Sequence, residues 1–263
     1  MLRTLKHIWT FLPSTKEELE EMFDIFFANV EDFEVNWIKA VVSPHAWYIY
    51  SWQVAAYSYE AIRQNIDKIP KNIFILTPDH YIWMNKVLVG NYDFLETPFW
   101  NLKVNKKITN ELLENKNFTQ EFLDLEKEHA LETQLPFLAY VLGEQINDFQ
   151  VIPLIFWQVD IIEIAKILDK YVSEALFIVS SDLSHYHSYD QAQLIDQKTI
   201  KIALEKDLNN LSYMDACGIY PWACLLVLAN KYSWQAKLLK YLNSWDTAWD
   251  KSHVVWYASI VYY

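Results

Sequence analysis

Histidine and aspartate side chains follow several short apolar segments of this chain. The stretches "VVSPHAW", "FILTPDHY" and "FIVSSDLSHYH" carry His45, Asp79, His80, Asp182 and His185. Imidazole is the commonest protein ligand of zinc, iron and copper, and thiolate or carboxylate groups complete such sites. If the apolar segments are neighbouring strands, the three loops meet at one edge of a sheet. This pattern favours a shared metal site, although a single histidine after a strand is more often a hydrogen-bonded loop residue.

Two cysteines and one further histidine are additional candidates for this site. Cys217, in "DACGIYP", precedes a predicted helix, where the positive helix end would favour a thiolate. Taken alone, Cys217 fits a core position and a metal ligand equally well, whereas Cys224 lies in an apolar helix and is predicted to be core. His129, next to Glu128 in "EHALETQLP", is either a helix-start cap or a group that supports the metal ligands from behind. Spacing alone neither selects a metal nor demonstrates one.

Strand-like and helix-like segments alternate along the chain. Apolar runs predict strands over 38–43, 72–77, 149–156 and 175–181, with closing strands over 236–242 and 253–263. Helices are predicted from Ser14 or Thr15 to about Asn29, and over 53–65, 107–114, 128–143 with a kink near Pro136, 161–171, 189–208 and 219–230. This alternation predicts an α/β fold with a central, mostly parallel or mixed sheet flanked by helices. No Pro-, Gly- or Ser-rich linker interrupts it, so residues 1–263 are predicted to form a single domain.

Composition excludes several classes of function. The formal net charge of −12 argues against nucleic acid as the main partner, because phosphate binding requires a basic face. No apolar run approaches the ~18 residues of a membrane span, and the first residues lack a signal-peptide core. Two cysteines seven positions apart form neither a disulfide framework nor a paired zinc knuckle. The simplest location is therefore the cytoplasm.

The motifs in their order along the chain resemble one protein family. "SPHAWYIYSW", "TPDHY", "EHALETQLPFL", "SSDLSHY", "ACGIYP" and "YLNSWD" followed by "VVWYAS" resemble the Memo family, whose bacterial and archaeal members are called AmmeMemoRadiSam system protein B. The resemblance extends over nearly the whole chain. It implies a fold similar to that of the LigB-type class III extradiol dioxygenases, which are non-haem iron enzymes.

The resemblance implies roles for individual residues. His45, His80 and Cys217 match the metal ligands of the family, with His185 and Asp182 in the same pocket. Fe(II) is the implied metal, and copper or zinc are the alternatives. The dioxygenases use two histidines and one carboxylate, so a thiolate at the third position departs from their ligand set. Close to the ligands, a further group of side chains is expected to form hydrogen bonds with them or to orient them, namely Asp79, Glu128 and His129.

Three functions are compatible with this site. The first is a dioxygenase-like oxidoreductase in which His185 acts as acid, base or hydrogen-bond donor and Asp182 orients it. The second is a non-catalytic metal-binding or adaptor protein that acts with an AMMECR-type domain protein and a radical SAM enzyme, the partners that the family name records. The third is a zinc hydrolase with a metal-activated water. The sequence does not indicate which small molecule is the substrate.

Tryptophan replaces glycine throughout the resembling motifs. The chain has 12 Trp and 3 Gly, whereas ordinary usage of roughly 7% glycine would give about 18. Trp47 and Trp52 occupy both glycine positions of the family pattern P-H-A-G-Y-x-Y-S-G. Glycine is also usual or frequent in the family at Trp9, Trp37, Trp83, Trp100, Trp157, Trp245, Trp249 and Trp256, and the contexts of Trp222 and Trp234 would accept it.

A decoding difference explains this exchange. Some bacterial lineages read UGA as glycine, and another common code reads it as tryptophan, so all 12 Trp are predicted to be glycines translated with the wrong table. The rival explanation is a genuine Trp-rich paralogue. The decoding hypothesis places Trp47, Trp52, Trp245 and Trp249 in loops or turns. It further predicts positive φ angles, exposed indoles or unpaired indole N–H groups at some of the 12 positions.

Overall fold

The computed structural model describes residues 1–7, 13, 15–120, 127–244 and 254–263. The predicted capping residue Ser14, as well as Trp9, Trp245, Trp249 and His253, lie outside the described residues. Within the described part, the helices are α1 (Lys16–Ala28), α2 (Tyr48–Gln64), α3 (Lys106–Leu113), α4 (His129–Glu132), α5 (Gln134–Leu142), α6 (Ile161–Leu168), α7 (Tyr189–Glu205) and α8 (Ile219–Lys231). Single 3₁₀ turns cover Gly143–Asp148, Asp169–Tyr171 and Leu208–Tyr213.

A large mixed sheet forms the centre of the fold. Its strands are β2 (Ala40–Ser43), β3 (Asn72–Pro78), β4 (Val87–Val89), β7 (Phe118–Thr119), β8 (Gln150–Phe156), β9 (Ala175–Ser180), β10 (His185–His187), β11 (Ala236–Asn243) and β12 (Val254–Tyr262). The order is β10-β12-β2-β9-β3-β8-β4-β7, and β11, which lies off this path, also pairs with β12. A small separate sheet contains β1 (Leu2–Arg3), β5 (Phe94–Leu95) and β6 (Leu102–Lys103).

The middle four strands determine where loops meet. Strands β2, β9, β3 and β8 are mutually parallel, whereas β12 and β4 run antiparallel to their neighbours β2 and β8. Parallel strands end at one edge of a sheet, so the loops after β2, β3 and β9 lie side by side. These are the three loops that carry the histidine and aspartate motifs. The predicted α/β class with a mixed sheet flanked by helices is therefore confirmed.

Both faces of the sheet are covered by helices. In β9, Leu176 and Ile178 point into the core beneath α1, α2 and α5, while Phe177 and Val179 point into the core beneath α6 and α8. Burial on both faces explains why these strands are continuous apolar runs rather than alternating ones. Among the described residues, no helix is long and apolar enough to cross a membrane.

Most predicted elements are present within a few residues, and two differ in an informative way. Helix α2 begins at Tyr48, five residues earlier than predicted, so Trp52 lies in a helix and is buried rather than in a turn. The prediction for Trp52 was therefore wrong, since the apolar face of "YIYSWQVAAY" extends the helix to the loop. The break in the 128–143 segment falls at Thr133 rather than near Pro136. Pro136 is tolerated because it lies in the first turn of α5, where its missing N–H is not needed.

Candidate metal centre

Three side chains from distant parts of the chain meet at the carboxyl ends of the parallel strands. His45 follows β2, His80 follows β3, and Cys217 precedes α8. Each offers one ligand atom, and the three atoms lie within 4.8 Å of one another. The sulfur of Cys217 is 3.3 Å from Nε2 of His45. The structure thus brings together the three residues that the sequence predicted as metal ligands.

A hydrogen bond at Nδ1 orients the His45 ring. The Ser180 hydroxyl donates its proton to the carbonyl oxygen of Ala130 at 2.8 Å. Its oxygen must therefore accept from Nδ1–H of His45, 2.9 Å away. This leaves the lone pair of Nε2 facing Cys217, and burial lowers the pKa of His45 well below its usual value. A neutral imidazole with a directed lone pair is the form that binds a metal ion.

Glu128 orients His80 in the same way. One carboxylate oxygen accepts from Nδ1 of His80 at 2.8 Å, and the other accepts from the His80 backbone N–H at 2.8 Å. Because a carboxylate only accepts, Nδ1 carries a proton. Burial lowers the pKa of His80, but the hydrogen bond and the charge of Glu128 raise it overall, so Nε2 binds an ion once the ring has lost its second proton. Glu128 also caps α4 by accepting from Ala130 N–H, so its position is set by the helix.

The donor set fits one transition-metal ion. Nitrogen and sulfur ligands at ~2.1 and ~2.3 Å from a tetrahedral ion are ~3.6 Å apart, close to the 3.3 Å separation of His45 Nε2 and Cys217 Sγ. Two imidazoles and one thiolate suit Fe(II), Cu(I) or Zn(II). Burial, with the Asp182 carboxylate nearby, raises the pKa of the Cys217 thiol. A bound divalent ion reverses that shift, because a coordinating thiol is deprotonated outright.

Asp182 supports the ligands from the end of β9. Its Oδ1 accepts from the backbone N–H of His45 at 2.9 Å, and its Oδ2 is 3.8 Å from Nε2 of the same residue. Its own backbone N–H points at Cys217 Sγ, 3.2 Å away. Burial raises the pKa of Asp182 to about 7. The sequence-based expectation was that Asp182 orients His185, but among the described residues its hydrogen bonds connect it to the His45 side of the site.

The remaining predicted residues take different positions around the centre. The rings of His129 and His80 stack with centroids 4.7 Å apart, and burial lowers the pKa of His129 to about 4. The Asp79 carboxylate points away from the ligands and accepts four backbone N–H groups of residues 81–84, which shapes the loop after His80. His185 lies in β10, where burial lowers its pKa.

A cavity of about 390 Å³ adjoins the centre. Its polar lining residues are Asp182, His185 and His129, and its other lining residues are Ala46, Val255 and four aromatic residues, namely Trp47, Tyr50, Tyr186 and Tyr257. The cavity is open to solvent, so a small molecule can reach Asp182, His129 and His185, whereas His45, His80 and Cys217 are not among the described residues that line it. Sequence reasoning identified the three polar residues but not the tyrosines, because single tyrosines in apolar strands or loops carry no distinguishing pattern.

Two further structural features were not visible in the sequence. Arg3 and Glu132 form a fully buried ion pair at 3.0 Å, and Arg3 also donates to the carbonyl oxygen of Glu128, so the first strand anchors the helix that carries Glu128 and His129. Gly218 packs against the end of β9: a Cβ atom there would lie 2.7 Å from the carbonyl oxygen of Ser180. Both residues lie far along the chain from the groups that they position.

Comparisons with known proteins agree with this description. The family model described as Memo-like protein matches residues 3–261. A MEMO1 family protein of Desulfurococcus amylolyticus is 34% identical over 238 residues, covering 84% of this chain and 82% of that protein. A MEMO1 family protein of Ignicoccus hospitalis is 32% identical over 276 residues, covering 95% of each.

A solved structure supports the fold alone. The crystal structure of an uncharacterized protein from Escherichia coli K12 matches with a TM-score of 0.56 at 10% identity, covering 85% of this chain and 99% of that chain. At that identity the similarity concerns the architecture alone. From the family model and the MEMO1 relatives together, the chain belongs to the Memo family.

Proposed function

We propose that this Memo family protein binds a single redox-active metal ion, Fe(II) or alternatively copper, through His45, His80 and Cys217. The observation that supports this most strongly is the convergence of three ligand atoms within 4.8 Å. Each histidine, moreover, has its second nitrogen engaged by Ser180 or Glu128. Metal-binding imidazoles almost always have their second nitrogen held in this way.

The chemistry proposed for the site is dioxygenase-like oxidation. Fe(II), when bound, supplies one-electron chemistry toward dioxygen. His185 lines the adjoining cavity, and burial keeps its imidazole neutral near pH 7, so it can accept a proton from a bound substrate. Asp182 and Glu128 hold the ligand residues in place through His45 and His80. A thiolate in place of the dioxygenases' carboxylate makes the site softer and richer in electron density.

Metal analysis after anaerobic purification tests this proposal. We expect about one equivalent of iron or copper in the parent protein and substantially less in a His45→Ala, His80→Ala double variant. Dioxygen consumption with a catechol is expected only in the metal-loaded parent. Bound zinc together with ester hydrolysis would instead identify a hydrolase. Absence of bound metal would leave the adaptor function, which is tested by co-purification of a radical SAM enzyme.

The proposal extends to partners and compartment. The AMMECR-type domain protein and the radical SAM enzyme named by the family are proposed partners, and the proposed location is the cytoplasm. Both described cysteines are free, which fits a reducing compartment. Affinity capture of the tagged chain from its own cells, followed by mass spectrometry, tests the partner assignment.

We also propose that the tryptophan positions are glycine in the native protein. Trp37 and Trp83 have φ angles of 61° and 57°, in the left-handed region that favours glycine. Both indoles are 64% exposed. Among the described residues, the buried indole N–H groups of Trp52 and Trp256 have no hydrogen-bond partner, although buried polar groups are normally paired.

Other described tryptophans differ in how well they support native glycine. Trp47 is the N-terminal capping residue of α2 and 45% exposed, and its indole lines the cavity beside the metal ligands. Trp222, in contrast, is buried in α8 and donates to the Tyr262 hydroxyl at 3.0 Å, which gives no support for glycine there. The codons of the gene test the proposal directly. UGA codons at the 12 positions would support it, and UGG codons would refute it.

A further inference from the structure

The cavity next to the candidate metal centre has an unusual combination of groups. Its described lining includes three tyrosines, Tyr50, Tyr186 and Tyr257, and the Asp182 carboxylate, but neither lysine nor arginine. The faces of aromatic rings attract cations, and a carboxylate adds a full negative charge. An anionic ligand would find no cationic side chain among these residues. The lining is therefore suited to a positively charged ligand.

Tyr257 provides the most specific polar group in the cavity. It lies in β12, only 1% of its surface is exposed, and it lines the cavity. Among the residues that the structure describes, none forms a hydrogen bond with its hydroxyl. The hydroxyl lies close enough to Asp182, Tyr50 and Tyr186 for all three to raise its pKa, in addition to burial. A nearly buried hydroxyl without a protein partner, beside a carboxylate, indicates a position for a ligand group.

Tyr186 is held at the rim in a strained conformation. Its φ angle is 61°, in the left-handed region that a bulky residue adopts only when its surroundings impose it. The pairing of β10 with β12 is irregular at this residue, between His185 and His187. Strain of this kind concentrates at ligand-binding positions. Here it directs the Tyr186 side chain, which is 74% exposed, to the edge of the cavity.

The charge of the metal centre does not oppose a cation. A divalent ion would bring two positive charges, which the Cys217 thiolate and the Glu128 carboxylate would balance. With those charges balanced, the Asp182 carboxylate, when ionised, gives the cavity side of the site a negative charge.

We propose that this cavity binds a small organic cation, with its ammonium group beside the Asp182 carboxylate and the Tyr257 hydroxyl and its organic part against Tyr50 and Tyr186. The inference names the substrate class of the proposed metal centre and in that respect rests on the proposed function. It does not require Trp47, so it holds equally for a glycine at that position.

Calorimetric titration with three probes of similar shape tests the charge preference. Benzylammonium is expected to bind at least tenfold more tightly than benzyl alcohol, which is neutral, and benzoate is expected to bind more weakly still. Equal binding of benzyl alcohol, or preferential binding of benzoate, would overturn the inference. The titrations use metal-free and zinc-loaded protein, with metal content measured separately. Loss of metal binding with the benzylammonium preference retained would then refute the metal proposal alone.

Matched variants locate the binding site. Asp182→Asn removes the charge while its amide oxygen can still accept from His45 N–H, and it is expected to weaken benzylammonium binding at least tenfold. Tyr257→Phe is expected to weaken it several-fold. Glu163→Gln is the control, since this carboxylate is 47% exposed on α6, pairs with Lys166 and is not part of the described cavity lining. An unchanged affinity in both Asp182→Asn and Tyr257→Phe would contradict the assigned binding site. If neither variant folds, the series of three probes on the parent chain still decides whether the cavity prefers a cation.

Discussion

Cys217 Sγ and His45 Nε2 lie 3.3 Å apart although the two residues are separated by 172 positions in the chain. Their contact depends on two loops. One follows β2, and the other is held against the end of β9 by Gly218, whose N–H donates to the Ser181 hydroxyl at 3.0 Å. The pair forms one side of the candidate metal centre, so changes to either loop should alter metal binding.

Cys217→Ser is expected to weaken binding of Fe(II) or Cu(I) by at least tenfold. The substitution replaces a soft thiolate with a hydroxyl that does not ionise at neutral pH. Metal content per chain after anaerobic purification is the measurement. Cys224→Ala is the control, because Cys224 is buried in α8 among apolar side chains and should leave metal content unchanged. Full metal content in Cys217→Ser would place Cys217 in the core instead.

Gly218→Ala is expected to reduce metal binding and to lower the free energy of unfolding by about 1–3 kcal/mol. The new Cβ would lie 2.7 Å from both the Ser180 carbonyl oxygen and the Ser181 Cβ, so the loop carrying Cys217 must move. Chemical denaturation measures the stability, and metal titration measures the affinity. A folded variant with parental stability and affinity would show that the loop tolerates the shift.

Glu128→Gln is expected to lower metal affinity by roughly 10- to 100-fold, as is usual when the partner of a metal-binding imidazole is changed. The carboxylate accepts from both Nδ1 and the backbone N–H of His80, and a glutamine retains only one accepting oxygen. Glu163→Gln on the exposed surface of α6 is the matched control. If both variants bind metal as the parent does, His80 is oriented by its packing rather than by Glu128.

Asp196, which is not one of the candidate metal-site residues, is expected to make the free energy of unfolding depend on pH. It is fully buried in α7, where burial raises its pKa from 3.8 to about 6. The folded state therefore holds the proton more tightly than the unfolded chain does. Its contribution to the free energy of unfolding is fully present below about pH 4. About 2 kcal/mol of that contribution is lost as the pH rises to about 6.

Asp196→Asn removes this titration while its amide can still bond the Ser184 N–H and hydroxyl, which the carboxylate contacts at 3.0 and 3.1 Å. Relative to the parent, the variant is expected to gain about 2 kcal/mol between pH 4 and pH 7. Denaturant unfolding at several pH values gives the difference. A parent-to-variant difference that is constant with pH would contradict the assigned shift.

Trp37→Gly and Trp83→Gly are each expected to raise the free energy of unfolding by about 1 kcal/mol, because both residues have positive φ angles and exposed side chains. Trp100→Gly is the comparison, since Trp100 is 44% exposed but is not among the positive-φ residues of the described chain. Thermal or denaturant unfolding measures the effect. Destabilisation by Trp37→Gly and Trp83→Gly alike would indicate that tryptophan was selected at these positions.

Local features of the chain were predictable because they depend on near neighbours. The strand of "NIFILT" and the cap of α1 at Thr15 follow from apolar runs and from a side-chain oxygen that can accept Glu18 N–H. The start of α2 was predicted too late, because Trp47 and Trp52 in place of glycine made the segment appear turn-like. Helix boundaries depend on packing as well as on propensity.

The sequence by itself determined the α/β class, the order of the elements and the residue types able to bind a metal, since apolar periodicity and ligand chemistry are properties of short segments. Only the tertiary structure decided that β2, β9 and β3 lie side by side and that His45 and His80 present their Nε2 atoms. It also decided that Tyr257 faces a cavity beside Asp182. These relationships join residues far apart in the chain. They depend on strand order and on side-chain hydrogen bonds, and neither is encoded in the spacing of residues along one segment.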